Sequence, residues 1–160
     1  MGDGTLGEVD RERLRTLFEE VIPFNRFLGM RVVDIGEGSA SLEVPFRAEL
    51  VGNPLTRALH GGVISGLLDA CGGIALWSSI EPEDMVATVD LRVDYLRPGR
   101  PETLVGRGTV VRLGNRVGVV ELRAFHPGSE DAPVAAGMGV YNVRRGTGSG
   151  AELWHRVVSG

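Results

Sequence analysis

Between Leu59 and Leu76 the chain reads Leu-His-Gly-Gly-Val-Ile-Ser-Gly-Leu-Leu-Asp-Ala-Cys-Gly-Gly-Ile-Ala-Leu. Val63, Ile64, Leu67, Leu68, Cys71, Ile74 and Ala75 recur at three- and four-residue spacing, which predicts one long helix over about 61–79. Gly61, Gly62, Gly66, Gly72 and Gly73 oppose that reading locally, each costing roughly 1 kcal/mol against alanine in a helix interior. A helix that carries this cost is one that another backbone or a ligand approaches closely, so it is expected to be sandwiched tightly. Asp69 stands in its middle with Leu67, Leu68, Ala70 and Cys71 around it, a setting that favours a functional carboxylate over a solvated one.

The flanking sequence supplies the layers. Residues 1–8 are short, glycine-rich and terminal, and are expected to be disordered. From Asp10, a candidate N-cap, the positions Leu14, Leu17, Phe18 and Val21 predict an amphipathic helix ending before Pro23. Residues 27–35 and 40–46 read as two extended runs joined through Gly36-Glu37-Gly38-Ser39, hence a hairpin. Residues 47–58 lack apolar periodicity and form a loop delivering the chain to the central helix. After a turn at 79–84, four β-rich runs follow at 85–96, 102–113, 116–126 and 132–143. In the first of these, Val89, Leu91, Val93 and Tyr95 alternate with Asp90, Arg92, Asp94 and Leu96, the period of a strand with one face on a core. Residues 144–160 open on Gly-Thr-Gly-Ser-Gly and read as a mobile tail. Two strands, a helix and four strands make an α+β domain over 9–143, an antiparallel sheet wrapped around one helix. Its open edges are most simply protected by a second copy.

A chain of 160 residues can bury a core without disulfide staples, and a net charge of −4 argues against nucleic-acid and anionic-membrane partners. Cys71, the one cysteine, falls on the apolar helix, which excludes a disulfide framework and a zinc cluster; no metal is expected. All 17 basic residues are arginine, so Schiff-base and phosphate-loop lysine chemistry is excluded. No basic leader or run of about 18 apolar residues is present, and a cytoplasmic location is expected.

His60-Gly61-Gly62 opens the helix, so both glycine N–H groups belong to its unsatisfied first turn, with the positive end of the helix dipole behind them. Such an end can bind an oxyanion. Asp69 lies seven residues beyond Gly62, about 700° of helix and so nearly the same face. It is nevertheless about 12 Å from Gly61 along the axis, too far to act on a carbonyl held at its own helix start. If two helices run antiparallel across a twofold axis, each Asp69 comes near the partner's helix start, giving two composite sites.

Leu59-His60-Gly61-Gly62, Asp69 nine residues after the histidine, and Ala87-Thr88-Val89-Asp90-Leu91 through Tyr95-Leu96-Arg97-Pro98 carry a resemblance. Over roughly residues 27–143 the sequence resembles hotdog-fold thioesterases of the phenylacetate-degradation (PaaI-like) type, within the 4-hydroxybenzoyl-CoA thioesterase superfamily. The resemblance implies a homodimer or dimer of dimers that hydrolyses an aryl or aliphatic acyl-CoA, with no cofactor beyond the coenzyme A of the substrate. It also implies that the Gly61 N–H polarises the thioester carbonyl and that Asp69 of the other subunit is base or nucleophile. Thr88 matches a serine or threonine that positions the water or Asp69. Asn53 resembles a loop asparagine that holds substrate or water, although it stands seven residues before His60 where the family pattern has six. His60 and Gly62 would border the substrate, the histidine fixing the loop by hydrogen bonding rather than acting as base. Arg97 and Arg100 are candidates to meet coenzyme A phosphates. The alternatives are a non-catalytic acyl-CoA-binding hotdog module and a hotdog dehydratase or hydratase pairing His60 with Asp69. The glycine pair favours the thioesterase.

Overall fold

A computed structural model of the protein describes residues 8–146 and 148–159. Helix α1 (Glu8–Thr16) runs into a π-helical turn (Leu17–Val21), where Ile22 N–H donates to the Leu17 carbonyl at 3.0 Å, and then into α2 (Pro23–Leu28). Expected as one helix followed by a strand from 27, this segment is two helices, and β1 begins only at Arg31. The reason is local. Pro23 keeps the helical run of α1 and the π turn from continuing but suits the first position of a new helix, and Gly29, at φ 70°, ends α2 in the left-handed conformation.

Strands β1 (Arg31–Gly36) and β2 (Ser39–Val44) form the expected hairpin. A 3-10 turn (Ala48–Leu50) and the short β3 (Val51–Asn53) and β4 (Ala58–Leu59) lead to the central helix α3 (Gly61–Trp77). Ser78 closes α3 two residues earlier than expected: its Oγ donates to the Ala75 carbonyl at 2.8 Å and accepts the Gly38 N–H at 3.0 Å, tying the helix end to the β1–β2 turn. Strands β5 (Met85–Tyr95), β6 (Leu104–Leu113), β7 (Val117–Phe125) and β8 (Ala135–Arg144) complete an antiparallel sheet in the order β1-β2-β6-β7-β8-β5.

The core is the contact of this sheet with α3, whose Leu67, Leu68, Cys71, Ile74, Ala75 and Leu76 are fully buried. The glycines act as the sequence requires. A Cβ at Gly72 would collide with the Tyr141 hydroxyl, and one at Gly108 on β6 would sit 2.6 Å from the Cys71 carbonyl oxygen. Close approach comes from both partners, helix and sheet.

The expected mobile tail is instead helix α4 (Gly148–Ser159), with Leu153, Trp154 and Val157 packed against the core. Their spacing places them on one helix face. The strand end before α4 is anchored by the buried Asp84, which receives Arg145 at 2.6 Å and the Gly146 N–H at 2.9 Å. Residues 1–7, in the terminus expected to be disordered, lie outside the described residues.

Candidate active site

His60 caps α3: its ring Nδ1 accepts the Gly62 N–H at 2.9 Å, while its backbone N–H donates to the Leu50 carbonyl at 2.8 Å. The expectation that both glycine amides are left unsatisfied in the first turn is therefore corrected. The Gly62 donor is used by the cap, and Gly61, the first helical residue, keeps the amide that no helical carbonyl can reach. The Gly61 carbonyl is clamped by Ser65 Oγ and Tyr95 Oη, each donating at 3.1 Å, and these two hydroxyls also contact each other. The Tyr95 ring lies close by: a Cβ at Gly61 would approach it to 3.3 Å, so the ring would have to give way slightly to any larger residue here.

Two turns along α3, Asp69 is half-buried. Thr88 Oγ1 donates to its Oδ1 at 2.8 Å, and the buried Tyr141 hydroxyl donates to its carbonyl at 3.2 Å and more weakly to Oδ1 at 3.4 Å. Burial and the Asp69 charge both push the Tyr141 phenol upward, so it stays a protonated donor. With Oδ1 engaged, Asp69 is held in one orientation with Oδ2 outside these bonds.

Thr88 reaches Asp69 through a bulge. The β5–β8 register shifts between Thr88 and Asp90. Before it Val86 and Thr88 face α3; after it Leu91, Val93 and Tyr95 do, and Val89 is left outside, 67% exposed. The unbroken alternation expected from Val89 to Tyr95 is thus corrected at its first member.

A pocket of about 290 Å³ opens beside Asp69 and Thr88, walled by Phe18, Phe24, Trp77 and Val86. Phe18 belongs to the stretch that the sequence marked as an amphipathic helix and Phe24 to α2, which the sequence did not foresee; neither was connected to the site. Tyr141 and Tyr95 were also missed as site residues. Asn53 is not brought to Asp69 within the chain: its Oδ1 accepts the Leu55 N–H at 3.0 Å and the Thr56 N–H at 3.4 Å, shaping the loop. Arg97 donates to the Pro133 carbonyl at 2.8 Å and Arg100 pairs with Glu102 at 3.0 Å, so both candidate phosphate ligands are engaged by their own chain. Among the described residues no group of three or more His, Cys, Asp or Glu side chains could hold a metal, and no helix is long and apolar enough to cross a membrane.

An antiparallel sheet wrapped on a glycine-rich helix, with a carboxylate two turns from a capped helix start, defines a hotdog protein. Residues 57–132 match the family model described as the thioesterase superfamily. The medium/long-chain acyl-CoA thioesterase YigI of Escherichia coli is 33% identical over 140 residues, covering 79% of this chain and 89% of YigI. The crystal structure of a thioesterase family protein from Silicibacter pomeroyi is 28% identical with a TM-score of 0.74, covering 83% of this chain and 96% of that one. The E. coli PaaI protein of the phenylacetic acid degradation operon shares the fold at a TM-score of 0.76 and 22% identity, covering 89% and 99% of the two chains. The chain belongs to the thioesterase superfamily, and it is a hotdog-fold thioester hydrolase.

Proposed function

We propose that two copies of the chain pair along β5 and hydrolyse acyl-CoA at two equivalent sites, each combining Gly61 of one copy with Asp69 of the other. The observation that carries this reading is the carboxylate itself: Asp69 is fixed by Thr88 at 2.8 Å beside an apolar pocket, about 12 Å along its own helix from the open amide of Gly61. An antiparallel partner helix closes that gap. Strand β5 is the outer strand of the sheet and exposes Val89 (67%) and Tyr95 (53%), with Leu96 (51%) just past its end, a long apolar edge suited to pairing with its copy.

In this arrangement the thioester carbonyl accepts the Gly61 N–H, with the α3 dipole behind it, as the oxyanion forms. Asp69 takes a proton from water through Oδ2 as the water oxygen bonds to the carbonyl carbon, and passes it on as the C–S bond breaks; Thr88 keeps Oδ1 occupied so that one oxygen does the work. The oxyanion collapses with loss of the coenzyme A thiolate, leaving the free acid. The acyl chain lies in the pocket of about 290 Å³ between Phe18, Phe24 and Trp77, whose apolar walls suit a hydrocarbon chain. The likeness to YigI, a medium/long-chain acyl-CoA thioesterase, supports a medium or long aliphatic chain.

The test is coenzyme A release from a panel of aliphatic and aryl acyl-CoAs by wild type and Asp69→Asn. Turnover of medium-length aliphatic substrates is expected, falling about 10²–10⁴-fold in the variant while the dimer persists. Tight binding of intact acyl-CoA without turnover by the wild type would replace this reading with a binding module.

A further inference from the structure

The turn between β6 and β7 and the last residues of β8 border an open cleft of about 410 Å³ lined by Asn115, Arg116, Asn142, Val143, Arg144 and Arg145. Three arginines meet there and, among the described residues, no acidic side chain lines it, in a chain whose formal net charge is −4. Arg145 is the strut. Its Nε donates to the Asn115 carbonyl at 3.1 Å and its Nη2 to the Gly114 carbonyl at 3.2 Å, while its Nη1 donates at 2.6 Å to the buried Asp84 carboxylate, which balances its charge. The Val143 N–H donates to the Arg116 carbonyl at 2.8 Å, so the turn and β8 are tied together in both directions. Arg116 and Arg144 are exposed, and among the described residues neither guanidinium makes a hydrogen bond or an ion pair. Two like charges facing one cleft from a rigid frame repel each other, and an anion between them removes that cost.

We propose that this cleft binds a phosphate ester, with Arg116 and Arg144 supplying the charge and Asn115 and Asn142 neutral donors. Two guanidinium forks and two carboxamides offer more donors than the two oxygens of a carboxylate take up, whereas the charge and terminal oxygens of a phosphate match them. Two sources carry that group, the nucleotide end of coenzyme A and a separate nucleotide. Coenzyme A fits on charge: a substrate bearing several phosphate charges approaches a protein of net charge −4, and a basic cleft offsets that repulsion locally. It fits on place as well, because Arg144 lies three residues, about 10 Å, along β8 from Tyr141, whose hydroxyl touches Asp69. Arg97 and Arg100, the cations first assigned to those phosphates, are engaged by their own chain. The site itself does not depend on the catalytic reading, since binding of a phosphate needs no turnover.

The deciding experiment compares the wild type with the double variant Arg116→Gln, Arg144→Gln, two exposed positions whose replacement leaves the frame around Arg145 in place. In calorimetry, inorganic pyrophosphate and adenosine 3′,5′-bisphosphate should bind the wild type, weaken with added salt, and bind the variant about tenfold less tightly or worse. Kinetics then identify the source. If the phosphates are those of coenzyme A, KM for decanoyl-CoA rises about tenfold in the variant with kcat unchanged, while the decanoyl thioester of N-acetylcysteamine, which has no phosphate, is turned over equally by both proteins. If they belong to a separate nucleotide, binding is still lost in the variant but KM for decanoyl-CoA stays the same. Anions that bind neither protein, or both proteins equally, overturn the proposal and leave the thioesterase intact. Binding of both anions by a wild type that hydrolyses neither thioester strikes the catalytic reading and leaves this site standing.

Discussion

Cys71 lies where α3 presses on the sheet, and its thiol shows how completely the helix is enclosed. Burial pushes it from 9.0 up to about 12, a small hydrogen-bonding contribution from the Leu42 backbone opposing that only partly. The folded thiol therefore holds its proton over a range in which the unfolded one releases it. Stability is untouched below about pH 9 and falls as pH rises toward 12, by up to about 1.4 kcal/mol per pH unit. Tyr141, also raised by burial and by Asp69, adds to the fall from its ordinary value of 10.0. Urea melts between pH 8 and about pH 10 should show the loss, and Cys71→Ala should delay its onset to the tyrosine range. An unchanged slope in that variant would mean the thiol is reached by solvent. Cys71 as core and His60 as loop anchor are what their sequence positions imply, because burial on an apolar helix face and capping at a helix start are local properties. Tyr141 was not legible: it lies 72 residues from Asp69, and only the sheet brings them together.

Among the elements, β1 shows how this fold manages an open edge. It is the outer strand opposite β5, and Val32, whose N–H and carbonyl face away from the sheet, is served by side chains of the α1–π segment: Glu19 accepts its N–H at 2.6 Å and Arg15 donates to its carbonyl at 2.6 Å. The same π turn aims Glu19 at β1 while Leu17 and Phe18 are buried, so one irregularity fixes both the edge and a wall of the pocket beside Asp69. Glu19→Ala should cost about 1–2 kcal/mol and speed hydrogen exchange at the Val32 amide, and Glu19→Gln should recover most of the loss. Unaltered exchange in the alanine variant would show that packing alone docks the segment. The central helix, the hairpin and the β-rich runs were legible because each repeats one period for long enough. The bulge at Val89 was not: a period of two counted back from Tyr95 puts Thr88 on the wrong face, and only pairing with β8 reveals the extra residue. Helix α4 was hidden by its glycine-rich start, although Leu153, Trp154 and Val157 already carry helical spacing.

At the scale of the whole molecule, the open amide and the carboxylate stand two turns apart on one rigid helix, so neither copy alone completes the proposed site. Proline at position 61 tests this: it removes the N–H, the first helical position favours it, and His60 at φ −67° and ψ 135° already has the extended backbone a following proline needs, while the Tyr95 ring, 3.3 Å from the added Cβ, has to give way slightly. Gly61→Pro and Asp69→Asn should each be nearly inactive as homodimers. Unfolded together and refolded at equal concentration, they form mixed dimers in which one site has lost both groups and the other keeps both. Random pairing makes half of all dimers mixed, each with one working site of two, so activity should return to about a quarter of the wild-type value. If the site lay within one chain, every copy would still carry a defect and mixing would restore nothing, which makes recovered coenzyme A release the measurement that separates a shared site from a private one.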